Sequence, residues 1–368
     1  MRVDRLWLTD FRSYGAAELA PAPAGLTVVV GPNGAGKTNL LEAVGWMATM
    51  SSFRAAPDDA LVRDGAEHAV VRVEGVRDGR GVLVEAEIHR AGRNRVFVGR
   101  QPLKRSRDLL GALRVSVFSP DDLIMVKGGP GERRRWMDDT LIALHPRHDA
   151  LRTDLDRVLR QRATLLKQAG GRLTADVGFT LDVWDAKLAE LGEAWAAARL
   201  ELVAAATPLL TASYAAVGGI GTSASMSYSP SWRLDSGHEQ RGLAEALIAA
   251  RPDDIRRGVS TVGPHRDDLV LTLETRPART HASQGEQRSL ALALRLAAHQ
   301  IVGASAGSPP ILLLDDVFSE LDPARSEALF AALPIGQAIL TTAIDIPAGA
   351  EPASILRITD GRITEVAA

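Results

Sequence analysis

"LTVVVGPNGAGKTNLLEA", residues 26–43, decides the fold. The run Leu26–Val30 is short, apolar and β-branched, the pattern of a strand buried on both faces. The run from Thr38 has helical spacing and extends to Met50. Between them, "GPNGAGKT" (31–38) fits G-x-x-x-x-G-K-[ST] in the strand-then-helix context that gives the motif its meaning. Gly31, Gly34 and Gly36 permit backbone angles that turn amide hydrogens inward around a phosphate. Lys37 brings a point charge to the β- and γ-phosphates, and the Thr38 hydroxyl is a ligand for Mg²⁺. The expected nucleotide contacts are Gly31, Pro32, Asn33, Gly34, Ala35, Gly36, Lys37, Thr38 and Asn39.

A second landmark lies far downstream. In "ILLLDDVFSELD" (311–322), four apolar residues lead to Asp315 at a strand's end, where a carboxylate holds Mg²⁺ opposite Thr38. Asp316 is the candidate to polarise an attacking water, and with Lys37 it makes the candidate catalytic pair. Successive strand residues point to opposite faces, so both carboxylates serve one site only if the strand ends there. A third landmark is "HASQGEQRSLALAL" (281–294), a polar turn opening a helix at Ser283. Such an end attracts anions. One phosphate loop already suffices for one nucleotide. A second anion-seeking helix end fits a different geometry, in which Ser283, Gln284, Gly285 and Glu286 cap the γ-phosphate bound by another copy of the chain. The expected assembly is an ATP-dependent homodimer.

Around these landmarks the chain alternates its patterns. Residues 68–98 show period two, with turns at "RDGRG" (77–81) and "RAGRN" (90–94), and predict an antiparallel meander. Residues 131–210 are helical, with apolar stripes at Leu151, Leu155, Val158 and Leu165, and at Leu181, Trp184, Leu188, Leu191, Trp195 and Leu202. The Gly/Ser-rich 215–240 fits either a linker or a returning strand. Strands follow at 269–275, 311–316 and 338–343, then a terminal strand pair. The expected class is α/β, with a nucleotide-binding head formed by residues 1–130 plus 215–368 and a helical lobe, 131–214, inserted in it.

Composition sets limits. With 368 residues, 46% hydrophobic and 24% charged, the chain has an ordinary globular make-up. No cysteine is present, which excludes disulfides and thiolate metal sites and fits the cytoplasm. No membrane-spanning run of ~20 apolar residues is expected. The opening "MRVDRLWLTDFRSYG" lacks a long apolar core and a cleavage site, so no signal peptide and no membrane association are expected. The net charge of −2 places any nucleic-acid site in local basic patches. The candidates are Arg93, Arg95, Lys104 and Arg105 in one stretch, Arg133, Arg134 and Arg135 in another, and Arg54.

The order of phosphate loop, Ser-x-Gly helix, "LLLDD" and "SELD" resembles an ABC-type P-loop ATPase head of the SMC-like branch. "FRSY" (11–14), "SSFR" (51–54), "FSPDDL" (118–123), "GGPGERRRWMD" (128–138), "GPHRDDL" (263–269) and "SQGEQR" (283–288) further resemble the RecF family, across nearly the whole chain. That resemblance implies ATP and Mg²⁺ as cofactors, a metal role for Thr38 and Asp315, and signature contacts in trans from residues 283–286. It also implies a D-loop at Ser319–Asp322 on the dimer seam, and Arg54 near DNA and phosphate. It implies a weak DNA-dependent ATPase of recombinational repair, acting on gapped or single-strand/double-strand junction DNA without sequence preference. RecO and RecR are the partners it implies. Departures from the ABC pattern are Gln284 and Glu286 in the signature, Asp316 for Glu, Thr341 or Thr342 in place of a His, and no Gln in "FSPDDL". The shorter Asp316, the absent His and the absent Gln together imply slow hydrolysis, and Glu286 implies a weaker contact in trans. Two other readings are a transporter's nucleotide-binding subunit, opposed by the missing Gln and His, and a P-loop small-molecule kinase, which needs no signature helix.

Overall fold

The strand Gly25–Val30 lies at the middle of a six-stranded sheet in the computed structural model. The structure describes residues 1–218, 221–232, 242–333, 336–343, 346–359 and 361–366. The sheet order is Arg362–Val366, Pro352–Thr359, Gly25–Val30, Gln337–Thr342, Ile311–Asp315 and Val115–Phe118. All pairings are parallel except the antiparallel edge strand Arg362–Val366. Because side chains alternate, one strand feeds two cores. Ile311 and Leu313 pack with Val29, Ile339 and the phosphate-loop helix Lys37–Thr49. Leu312 and Leu314 pack with Val28, Leu340, Leu292 and Leu296 on the opposite face.

A second, antiparallel sheet runs Tyr14–Leu19, Arg2–Phe11, His68–Arg77, Arg80–His89, Arg95–Val98 and Gln101–Pro102. Its central hairpin turns at Asp78 and Gly79, both with positive φ (51° and 76°), as a two-residue turn matched to strand twist requires. Buried Val71, Val73, Val84, Ala86 and Ile88 form its inner face. The two sheets are joined by a buried amide. Gln337 accepts from the Val3 backbone N–H at 2.7 Å and donates to the Val3 and Ala22 carbonyls at 2.7 and 2.8 Å.

The chain divides into two compact units. The first comprises residues 1–122, 212–221 and 288–368, and the second 123–211 and 222–287. This differs from the inserted lobe expected at 131–214. Residues 222–287 join the second unit because they supply the helix Leu243–Arg257 and a three-stranded antiparallel sheet, Arg276–Pro277, Asp268–Leu273 and Ala224–Ser229. The strand alternative for 215–240 thus holds for Ala224–Ser229, while residues 219–220 and 233–240 of that stretch lie outside the described residues. The helices Pro130–Leu144, Arg147–Ala169 and Ala175–Gly218 account for the predicted helical region. A fully buried guanidinium, Arg162, ties the second unit together, with Asp185, Asp254 and Ser260 each at 2.7 Å. Ala175–Gly218 is, among the described residues, long and apolar enough to cross a membrane by length and composition, which differs from the expectation of no such run. Part of its apolar surface is internal core, since Leu181 packs against Leu166 and Ile255.

Candidate nucleotide-binding site

The phosphate loop departs from helical geometry at two glycines. Gly34 has φ 82° and Gly36, the residue preceding the helix, φ 99°. Gly31 has no positive φ; it is small because a Cβ there would lie 3.0 Å from the Ile358 carbonyl oxygen. At Gly36 a Cβ would meet the Ser13 and Tyr14 hydroxyls at 2.8 Å. The "FRSY" turn therefore lies directly on the loop, and Asn39 fastens it by donating to Ser13 Oγ at 2.9 Å. A groove of about 530 Å³ beside it is lined by Arg12, Ser13, Asn39 and Arg63.

Lys37 donates to the Gly31 and Pro32 carbonyls at 2.7 and 2.9 Å, which holds its ammonium over the loop. Burial lowers its pKa, and Asp316 and Asp315 pull it back up. Thr38 Oγ1 donates to Asp315 Oδ1 at 2.8 Å, and Thr341 Oγ1 donates to the same oxygen at 2.8 Å. The hydroxyl and carboxylate oxygens converge as a hard divalent cation requires. Burial raises the Asp315 pKa, opposed first by hydrogen bonds from Thr38 and Thr341 and also by the Arg54 charge. The strand ends at Asp315. Asp316 adopts φ 49°, so the chain turns and the second carboxylate is freed from strand alternation. Its amide faces the Thr341 hydroxyl at 3.1 Å. Thr341 thus contacts both aspartates from the neighbouring strand. Ser319 donates to the Asp316 carbonyl at 2.8 Å, and Asp322 caps the helix Pro323–Ala332 through the Arg325 amide.

A buried hub underlies the loop. Glu42, fully inaccessible, accepts two hydrogen bonds from Arg12 at 2.8 and 2.7 Å and one from Ser52 at 2.5 Å, with Arg54 Nη1 3.8 Å away. No sequence motif above assigns Glu42 a role. The available signal was a lone carboxylate among Leu40, Leu41, Ala43 and Val44, where an unpaired charge is too costly to keep.

In the second unit the signature turn forms a reciprocal cap. The Ser283 amide donates to the Glu286 carboxylate at 2.7 Å, and the Glu286 amide donates to Ser283 Oγ at 3.3 Å. Glu286 is thereby folded back onto its own helix end. The arginine run 133–135 separates by face. Arg133 is buried, doubly bonded to Asp268 at 2.8 and 2.9 Å and to the Gly128 carbonyl at 3.0 Å. It is a structural residue, and its assignment as a DNA contact is corrected. Arg134 is half-buried and donates to the Asp267 carbonyl at 2.6 Å. Arg135 is exposed beside Glu132. Arg93, Arg95, Lys104 and Arg105 are all exposed on the first unit.

Residues 2–342 match the family model described as the RecF/RecN/SMC N terminal domain. The chain is 46% identical over 363 residues to the DNA replication and repair protein RecF of Frankia alni, covering 95% of each. It is 44% identical over 379 residues to the protein of that name from Streptomyces avermitilis, covering all of both.

The chain belongs to the RecF family.

A solved structure of the recombination mediator protein RecF with ATP, in the RecFOR pathway, superposes with TM-score 0.89 at 25% identity, covering 100% of this chain and 98% of that one. The Smc head of Pyrococcus furiosus shares the fold, with TM-score 0.58 at 18% identity over 99% of this chain and 96% of that one. The fold is therefore the ABC-type ATPase head of RecF and SMC proteins, mixed α/β with a helical insertion. The RecF family, a DNA replication and repair family, takes the place of the transporter and kinase readings.

Proposed function

We propose that this RecF-family chain is an ATP-dependent DNA clamp of recombinational repair. Two copies sandwich ATP between one chain's phosphate loop and the other's Ser283 turn, and slow hydrolysis releases DNA. The observation that carries this reading is the convergence of Lys37, Thr38, Asp315 and Asp316 at one loop, together with a capped anion-seeking turn at Ser283 on a separate unit. Thr38 and Asp315 are the residues to hold Mg²⁺, which when bound neutralises charge on the β- and γ-phosphates. The backbone amides of residues 31–39 and the Lys37 ammonium grip the phosphates. Asp316 orients water, and Thr341 fixes both aspartates. Ser319 and Asp322 belong to the seam between copies. Dimerisation depends on nucleotide because ATP adds binding free energy only to the pair.

DNA binding is sequence-independent and salt-dependent, carried by phosphate contacts. Arg54, Arg93, Arg95, Lys104, Arg105, Arg134 and Arg135 remain the contact candidates. The neighbouring RecF structures come from the RecFOR pathway, which supports RecO and RecR as partners, gapped or junction DNA as substrate, and the cytoplasm as location. The test is molar mass by light scattering without nucleotide, with ADP, and with ATP plus Mg²⁺. Dimer formation only with ATP, lost in Lys37→Met and in Ser283→Arg, is the expected result. A mass that never changes while ATP still binds would sink the sandwich.

A further inference from the structure

Four of the exposed cations share one groove. Arg95 opens the fifth strand of the antiparallel sheet, Arg93 lies just before it, Lys104 and Arg105 lie just after the short edge strand, and together they line a groove of about 730 Å³. Folding leaves these charges largely unneutralised. Arg93, Lys104 and Arg105 have no ion-pair partner among the described residues, and Arg95 meets only Glu87, at 3.6 Å, with 71% of its side chain exposed. Asp58 also lines the groove, held by Trp46 Nε1 at 3.0 Å and Asn94 Nδ2 at 2.6 Å, and its single negative charge stands against four positive ones.

Charge alone fits any polyanion. The groove's other lining separates the possibilities. Partly buried Phe97 lies among the cations with Met50. A stacked duplex presents phosphates and sugars and has no use for an aromatic surface. A strand with unpaired bases does, because each base has a π-face that stacks on a ring in any sequence. The volume is that of a small-ligand pocket, roughly 300–1,000 Å³, sized for nucleotide units and not for a helix. The position is informative too. Met50 caps the C-terminus of the phosphate-loop helix, and Trp46, which holds Asp58, belongs to that same helix.

We propose that this groove binds single-stranded DNA, with phosphates on Arg93, Arg95, Lys104 and Arg105 and an unpaired base stacked on Phe97. The assignment rests on the DNA-binding reading above and adds which strand form is held, and where. The test is fluorescence anisotropy on the full chain with ATP and Mg²⁺, titrating a labelled oligothymidylate and a blunt duplex of equal length. Phe97→Leu weakens the single strand by roughly 5-fold or more and leaves the duplex unchanged, and Phe97→Tyr restores the loss. Lys104→Glu combined with Arg105→Glu lowers the slope of log K against log salt for the single strand by about 1.4, two phosphate contacts' worth. ATP-dependent dimer mass certifies that each variant is folded. If Phe97→Leu affects neither probe, or both equally, or if the charge reversal leaves the single strand unchanged, the groove assignment fails while the clamp reading stands. Binding of the duplex alone overturns the assignment in the same way. If the intact chain binds neither probe in any nucleotide state, the DNA-binding reading falls and takes the groove with it.

Discussion

At the scale of single residues, the site separates groups that do chemistry from groups that hold them. Glu42 is the clearest holder. Removing a buried partner strands the other charge, so Glu42→Ala is expected to cost about 3 kcal/mol, read as a lowered denaturant midpoint at unchanged slope. Asp316→Asn keeps a residue type that tolerates the left-handed backbone but removes the carboxylate. ATP-dependent dimerisation is expected to persist while phosphate release slows by roughly 10²–10⁴-fold, the usual worth of a general base. Equal turnover in this variant would remove Asp316 from the chemistry. The sequence shows the phosphate loop and Asp315 directly, because their geometry is local. It does not show which of three adjacent arginines is buried. Neighbours on a helix point roughly 100° apart, so Arg133, Arg134 and Arg135 cannot share one face, and the partner of the buried one, Asp268, lies far along the chain.

At the scale of elements, strands and helices with one strong period were legible. The strand Gly25–Val30, the hairpin at 77–81 and the helices from Pro130 follow from alternation or helical spacing. Other elements carry no such period, among them Tyr14–Leu19, Val115–Phe118, Leu243–Arg257 and Pro323–Ala332. Leu243–Arg257 carries Pro252 inside it, which breaks the expected pattern. Val115–Phe118 is a four-residue edge strand, too short for a period. The signature helix is the element where a local bond bears on assembly. Its reciprocal cap holds the Glu286 carboxylate on the helix end that the sandwich offers to a phosphate. Two like charges about 4 Å apart in water repel by roughly 1 kcal/mol. Glu286→Gln keeps an oxygen that accepts the Ser283 amide and discards the charge. With one such contact at each of the two sandwiched nucleotides, the ATP-dependent dimer is therefore expected to tighten by roughly 30-fold, measured as the dimer dissociation constant fitted to scattering mass against dilution. A weaker dimer would show that the carboxylate itself is needed.

At the scale of the whole molecule, acid sensitivity has a named source in each unit. Burial pushes the pKa of His299 down to about 4, and its two ring nitrogens have no hydrogen-bond partner among the described residues. Burial likewise pushes His265 down to about 4. Between about pH 6.5 and 4 the unfolded chain takes up protons that these rings refuse, so this contribution to stability is present above pH 6.5 and lost as pH falls. Asp138, Asp267 and Asp315 are raised by burial and act in the opposite sense. The informative measurement is thus the difference between intact chain and His299→Leu. The variant's melting temperature is expected to fall less steeply across that window, and parallel curves would clear His299. The sheet order has a further consequence, for synthesis. The strand that carries the phosphate loop has as its two neighbours Gln337–Thr342 and Pro352–Thr359, and Gln337 also latches residue 3. At a ribosomal pace of roughly 5–20 residues per second, that strand waits on the order of 15–60 seconds for its neighbours. Its β-branched edges are unpaired throughout and open to wrong pairing, and a chain cut short before residue 337 contains the second unit but lacks both strands that flank its phosphate-loop strand.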